Sequence, residues 1–309
     1  MLGMLTKTAC PIGIDLDHDG LRMAQLTAAG NEMTAVDCKW VLRPADIPPD
    51  SPQWQRWAID AIGDARARSQ FRGKDAVVAL PANRLFVDVL KRPELPKGKR
   101  DDGVFDKIKH RVPKGWTRDN TVIQCMPTEQ DNTIVMAAER TILDRHLAIY
   151  ERARLVVKSM AVWPVAMANC YARFFARRGA DLHSVVMLLD IQSGCSNVVI
   201  CRGENLLLAR SIPLGARQVQ TTSEAARLAW ELAAVNKLLE SVYRDVRIER
   251  VILLSGAAVD AEVCRTIGTE LAVRVQLGDC QTALGIKTTS DDEGEAQMNW
   301  TLAFGLSLC

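Results

Sequence analysis

Two stretches of the chain alternate apolar runs and short polar turns in the same order. In residues 11–43 the apolar IGIDL reaches a turn at Asp17, His18, Asp19 and Gly20. LRMAQLT follows, then a turn at Ala29, Gly30 and Asn31, then MTAVDCKWVL. Period-two alternation punctuated by Gly, Asn and Asp predicts strands joined by hairpins. In residues 184–213 the pattern returns as VVMLLDI, a turn at Gln192, Ser193, Gly194 and Cys195, SNVVIC, a turn over 202–205, and LLLARSIPL. Each stretch delivers one acid, Asp15 or Asp190, from an apolar strand into a tight turn.

A predicted helix follows each stretch. The first has Ser51 as cap and Pro52 at its first position. Trp54, Trp57, Ala58, Ala61, Ile62 and Ala65 share one face, and Gly73 is expected to stop the helix. The second spans about 223–243, with Ala226, Ala229, Trp230, Ala233, Val235, Leu238 and Leu239 as its apolar positions. Buried strands are expected at 76–80 and 250–255, the latter ending at Gly256 and followed by a helix over 261–271. A hairpin-then-helix unit that occurs twice predicts a duplicated α/β fold with mixed sheets covered by helices.

Between the halves the character changes. Residues 91–102 are rich in Lys, Arg, Pro and Asp. A helix over 104–111, strands over 122–126 and 133–138, and a helix over 140–154 carrying Ile142, Leu143, Leu147 and Ile149 then make a small α+β subdomain.

Composition narrows the function classes. The 309 residues carry 39 Lys and Arg against 37 Asp and Glu, a formal charge of +2, which argues against broad nucleic-acid binding. No apolar run reaches the ~18 residues that span a bilayer, and the N-terminal MLGMLTKTACPIG lacks a signal-peptide layout; a cytoplasmic protein is expected. The nine cysteines form no Cys-x-x-Cys pair and read as reduced thiols, and the four dispersed histidines give no metal-ligand spacing. Asp15 to Gly20 resembles the start of a calcium loop, but the twelfth position would need a bidentate Glu and is Leu26. No nucleophile motif accompanies the histidines, so no catalytic residue is assigned.

These residues carry a resemblance. IGIDLDHDGLRMAQL is similar to the first phosphate motif of the PilM family of actin-like type IV pilus assembly proteins, and more distantly of the FtsA family. VMLLDIQSGCSNVVICRGENLLLARSIPLGA resembles the second phosphate motif, and IERVILLSGAAVD the adenosine motif. DAVVALPANRLFVDVLKRPELP resembles the passage into the inserted subdomain 1C, and NWTLAFGLSL the helical end. The resemblance implies a two-lobed actin-like, ribonuclease H-like fold. Its expected parts are subdomain 1A over 10–83, a 1C-type insert over 84–158, a helix returning to lobe 1 over 159–182, and lobe 2 with a reduced subdomain 2B over 183–309.

It also implies a nucleotide site, ATP with Mg, formed by Asp15, Asp17, Gly20, Asp190, Gln192, Ser193, Gly194, Gly256 and Ala257. Asp17, Gln192 and Ala257 stand where the family has glycine, and only glycine lets backbone amides approach a phosphate closely. An eroded site with weak or absent ATP binding is therefore expected, with hydrolysis not expected. The family function implied is a scaffold that captures the cytoplasmic N-terminal tail of a PilN-like single-span inner-membrane protein, which would recruit it to the membrane's inner face. Homo-oligomer formation is a further expectation. Leu85, Val87, Val89, Lys107, Lys109 and Arg111 are the expected groove residues. The basic run from Lys97 to Arg118 is otherwise a solvated face. A nucleotide-switched actin-like ATPase and a secretion scaffold like the cytoplasmic part of GspL remain alternatives.

Overall fold

The computed structural model describes residues 8–30, 32–91, 100–176, 179–219, 221–254, 261–286 and 299–309. Strands β1 (Thr8–Leu16), β2 (Gly20–Ala29) and β3 (Glu32–Leu42) form an antiparallel meander. Helix α1 (Pro52–Ala67) follows, with the Ser51 hydroxyl accepting from the Trp54 amide at 3.1 Å. It buries Trp54, Ala58, Ala61, Ile62 and Ala65 and ends at Ala67. Gly73, the expected stop, lies further along the loop at φ +77°. β4 (Asp75–Ala79) pairs parallel with β1, and β8 (Val156–Ala161) parallel with β4, giving the order β3-β2-β1-β4-β8.

The second half repeats this. β9 (Val185–Ile191), β10 (Ser196–Arg202) and β11 (Asn205–Ile212) form the meander. After α5 (Thr222–Val242), β12 (Arg250–Leu253) and β13 (Arg274–Leu277) extend it in parallel, in the order β11-β10-β9-β12-β13. Both sheets thus have the same order and the same strand senses, the physical form of the duplication seen in the sequence. Every residue of β9 is buried, which explains its unbroken apolar run: the central strand is covered on both faces.

Between β4 and β8 lies the insert. A turn of 3-10 helix (Ala82–Arg84) leads into β5 (Phe86–Lys91), then α2 (Arg100–Ile108), β6 (Thr121–Pro127), β7 (Asn132–Glu139) and α3 (Arg140–Arg152). Its sheet is antiparallel in the order β5-β7-β6. β8 begins at Val156, so the last strand of the first sheet starts just inside the range expected for the insert.

Helix α4 (Trp163–Cys170), α6 (Ala261–Leu271), the short α7 (Cys280–Ala283) and α8 (Thr301–Ser307) complete the described elements. α8, expected as the end of lobe 2, lies against β1, β2 and α4. The Ser307 hydroxyl donates to the Pro11 carbonyl at 2.8 Å and accepts from the Leu26 amide at 3.0 Å. One apolar cluster, including Val77, Trp163, Leu188, Val199 and Leu306, draws on both sheets, so the lobes share a core.

Candidate functional site

The β1–β2 and β9–β10 turns meet across the interlobe cleft. Each begins where a buried strand runs out, which is why Asp15 and Asp190 end up buried, at 6% and 0% exposure. Both line a cavity of about 290 Å³ together with Arg22, Trp40, Gln192 and Asn299. A second cavity of about 670 Å³ on the insert side is bordered by Asp15, Asp17, Ser193, Gly194 and Leu85.

Arg22 is the internal cation. Hairpin register sets it opposite Asp15. Its Nη1 donates to Asp15 Oδ2 at 3.1 Å and to Asp17 Oδ2 at 2.8 Å. Burial alone would lower its pKa, but the Asp17 and Asp15 carboxylates hold it above the ordinary guanidinium value. Burial pushes Asp15 up to about 7; Arg22 opposes this, while Asp17 and Asp190 add to it. Burial likewise raises Asp190 to about 6, against the pull of Arg22 and of hydrogen bonds from Asn197, Gln192 and Asn299. Gln192 Nε2 donates to Asp190 Oδ2 at 3.1 Å, and Asn299 Nδ2 donates to Oδ1.

Asp17 caps its own turn. Its Oδ1 accepts from the Asp19 amide at 2.7 Å and the Gly20 amide at 2.8 Å, while its amide donates to the Gly20 carbonyl at 3.0 Å. Gly20 is close-packed, since a Cβ there would lie 2.5 Å from the Val41 carbonyl oxygen. Asp19 reaches across the cleft: Ser193 Oγ donates to its Oδ2, and Arg217 Nη2 to its Oδ1 at 2.6 Å. Beside them, His18 Nε2 lies 3.3 Å from Asp50 Oδ2, which also pairs with Arg84 at the entry to the insert.

In this arrangement donors that a phosphate would use are already taken. Amides of the first turn already serve the Asp17 carboxylate, and the Ser193 hydroxyl and Arg217 guanidinium serve Asp19. A free anion would also meet the Asp15 and Asp190 carboxyls. Of the expected nucleotide residues, Asp15, Asp17, Gly20, Asp190, Gln192, Ser193 and Gly194 come together at this cleft. Gly256 and Ala257 lie outside the described residues. Sequence reasoning missed Arg22, Arg217 and Asn299. A charged residue in the otherwise apolar LRMAQL run, opposite Asp15 around a short turn, was the available signal for Arg22. Asn299 and Arg217 are brought in by tertiary contacts alone.

The expected groove residues divide. Leu85 lines a cleft, but Val87 and Val89 are each only 9% exposed. Val89 is packed into a core shared with lobe 2, a correction to its expected role; Val87 packs into the other shared core but still borders the cavity of about 670 Å³ with Leu85 and Arg111. Arg111 pairs with Asp88 of β5, Lys109 lies 3.3 Å from Asp106, and Lys107 is exposed. A more apolar groove also lies against the insert. It holds about 450 Å³ between β6, β7 and α3 on one side and β8 on the other, with Leu85, Val122, Met136, Leu143, Leu147 and Met160 in its wall. β6 and β8 are the edge strands of their sheets.

Among the described residues no three His, Cys, Asp or Glu side chains are grouped to hold a metal ion, and no helix is long and apolar enough to cross a membrane. No family model and no curated protein matches the chain. Among solved structures it is similar to one of a PilM–PilN type IV pilus biogenesis complex. The TM-score is 0.77 at 16% identity, over 96% of this chain and 97% of the other. A Bacteroides thetaiotaomicron protein with actin-like ATPase fold and unknown function matches at TM-score 0.55 and 13% identity, over 97% and 96% of the two chains. The cytoplasmic domain of EpsL, an inner-membrane component of the Vibrio cholerae type II secretion system, matches at TM-score 0.52 and 10% identity, over 93% and 99%. At these identities the likeness is one of architecture, and the architecture is that of the two-lobed actin-like ATPase fold.

Proposed function

We propose that the protein is an actin-like scaffold of a type IV pilus or related inner-membrane assembly. It captures the N-terminal cytoplasmic tail of a PilN-like single-span partner in the groove between β6, β7, α3 and β8. The observation that carries this reading is the groove itself: about 450 Å³, walled by half-buried Leu85, Val122, Leu143, Leu147 and Met160 over buried Met136. It is bounded by the edge strands of two sheets, a setting that suits an extended segment. Support comes also from the likeness in fold to a PilM–PilN complex. In this reading the protein is not an enzyme and stays on the cytoplasmic side, held at the membrane by its partner. In this reading capture requires neither ATP nor Mg, in keeping with the donors that Asp17 and Asp19 already engage in the cleft. The likeness to the EpsL cytoplasmic domain favours a second reading in which the assembly is a type II secretion system.

The test is calorimetry with the cytoplasmic N-terminal peptides of single-span membrane proteins encoded beside this gene. One buried anchor side chain contributes roughly 1.5–3 kcal/mol, so Leu143→Glu or Met160→Glu should weaken the tail at least about tenfold. Charge reversal at Lys107 should leave affinity within about twofold, as expected of an exposed charge away from the groove. A tail that binds both groove variants as tightly as the native chain would place capture elsewhere.

A further inference from the structure

The turn between β1 and β2 presents acceptors to the opposite lobe, and that lobe presents donors. Asp17 has taken up the Asp19 and Gly20 amides, so what the turn offers is the Asp19 carboxylate. Facing it are a hydroxyl and a guanidinium, Ser193 and Arg217, the donor pair that recognises oxyanions.

These two donors are held ready by their own backbone. The segment after β11 is pressed onto the β9–β10 turn: a Cβ at Gly215 would lie 2.4 Å from the Cys195 nitrogen and 2.5 Å from the Gln192 carbonyl oxygen. The Ala216 amide donates to the Gln192 carbonyl at 2.8 Å and the Arg217 amide to the Ser193 carbonyl at 3.0 Å. The backbones of Ser193 and Arg217 are thereby held side by side by contacts that do not involve Asp19.

We propose that Ser193 and Arg217 form an oxyanion socket on lobe 2 whose resident ligand is the Asp19 carboxylate. The tethered acid clasps the lobes together without any free anion, and a phosphate group reaches the socket only by displacing it. This goes beyond the scaffold reading and does not depend on tail capture. It gives the two acids of the first turn separate tasks: Asp17 closes the amides, and Asp19 supplies the anion that the opposite lobe holds.

The full-length chain and its Asp19→Ala, Arg217→Ala and doubly substituted forms provide the test. Arg217 is 68% exposed in its side chain and Asp19 24%, so neither change strikes the core. Amide exchange read by mass spectrometry should rise about tenfold in the peptides over 15–22 and 190–197 in each single variant, given the strength of hydrogen bonds to charged groups. Peptides from β4 and β12 should not change. The double variant should exchange no faster than either single one, because the two residues act as a unit. Calorimetry with inorganic phosphate and with ADP should show at least about tenfold tighter binding to Asp19→Ala than to the native chain. Unchanged exchange in both turns on losing Asp19 overturns the proposal. So does equal phosphate and ADP affinity in the native and Asp19→Ala chains.

Discussion

Arg22 stands where carboxylates converge, and that convergence makes the fold pH-sensitive. Asp15 is raised to about 7 and Asp190 to about 6, both first of all by burial. A carboxyl whose folded value exceeds its unfolded one binds more protons when folded. Its contribution to stability is complete below the unfolded value and is lost as pH rises through the folded one. His146, lowered to about 4 by burial, acts in the opposite sense: its contribution is present above the ordinary imidazole value and is lost as pH falls toward 4. Between pH 8 and 6.5 the two carboxyls outweigh the first part of the His146 loss, so urea unfolding should show about 0.5 kcal/mol more stability at 6.5 than at 8. Below that the His146 loss should flatten the continuing rise in stability, and His146→Leu should steepen it. A native chain that is more stable at pH 8 than at 6.5 would contradict the burial of these acids. At this scale the sequence was legible where a charge interrupts an apolar strand, as with Asp15 and Asp190. It was silent where the contact joins residues far apart in the chain, as with Asp19 and Arg217.

The same divide between period and environment holds for whole elements. Alternation in β5 was readable, but which face is covered depends on lobe 2, so Val87 and Val89 turned out to be core. In α5 the helix was readable and its buried stripe only in part: Ala229, Val235 and Leu239 are buried as read. The reading placed Trp230 among the apolar positions, whereas the buried positions include Ala225, Leu228, Ala229, Leu232, Val235 and Leu239. Trp230 is 68% exposed. Alanine is a weak guide to inside and outside, and α5 is rich in it; the leucines alone mark the true stripe. The expected consequence is an inversion of residue size. Trp230→Ala, the larger truncation, should change stability by no more than about 0.5 kcal/mol. Leu232→Ala should cost about 2–5 kcal/mol. Chemical denaturation of the two variants decides it, and a Trp230→Ala cost matching that of Leu232→Ala would mean that α5 is rotated from the orientation seen here.

For the molecule as a whole, duplication explains the two like sheets but not what joins them. The last helix closes the chain back on the first strand, a contact between the two ends that local patterning does not encode. IGIDL was readable as a strand, yet the need for Gly13 within it was not. A Cβ at Gly13 would lie 2.0 Å from the Ala303 carbonyl oxygen, and one at Gly305 would lie 2.0 Å from that of Ala166. These are backbone atoms, which cannot swing aside as a flexible side chain would, so α8 would have to lift from β1 or α4. Gly13→Ala and Gly305→Ala should therefore each cost about 3 kcal/mol or more. Gly63, exposed within α1 with nothing within 4 Å of its would-be Cβ, is the matched control. There the same substitution should stabilise by about 0.5–1 kcal/mol through helix propensity. Thermal and urea unfolding of the three variants gives the comparison. If Gly13→Ala and Gly305→Ala were as stable as Gly63→Ala, α8 would not be seated against β1 and α4, and closure of the two lobes would have to come from the Asp19 clasp and the shared apolar core alone.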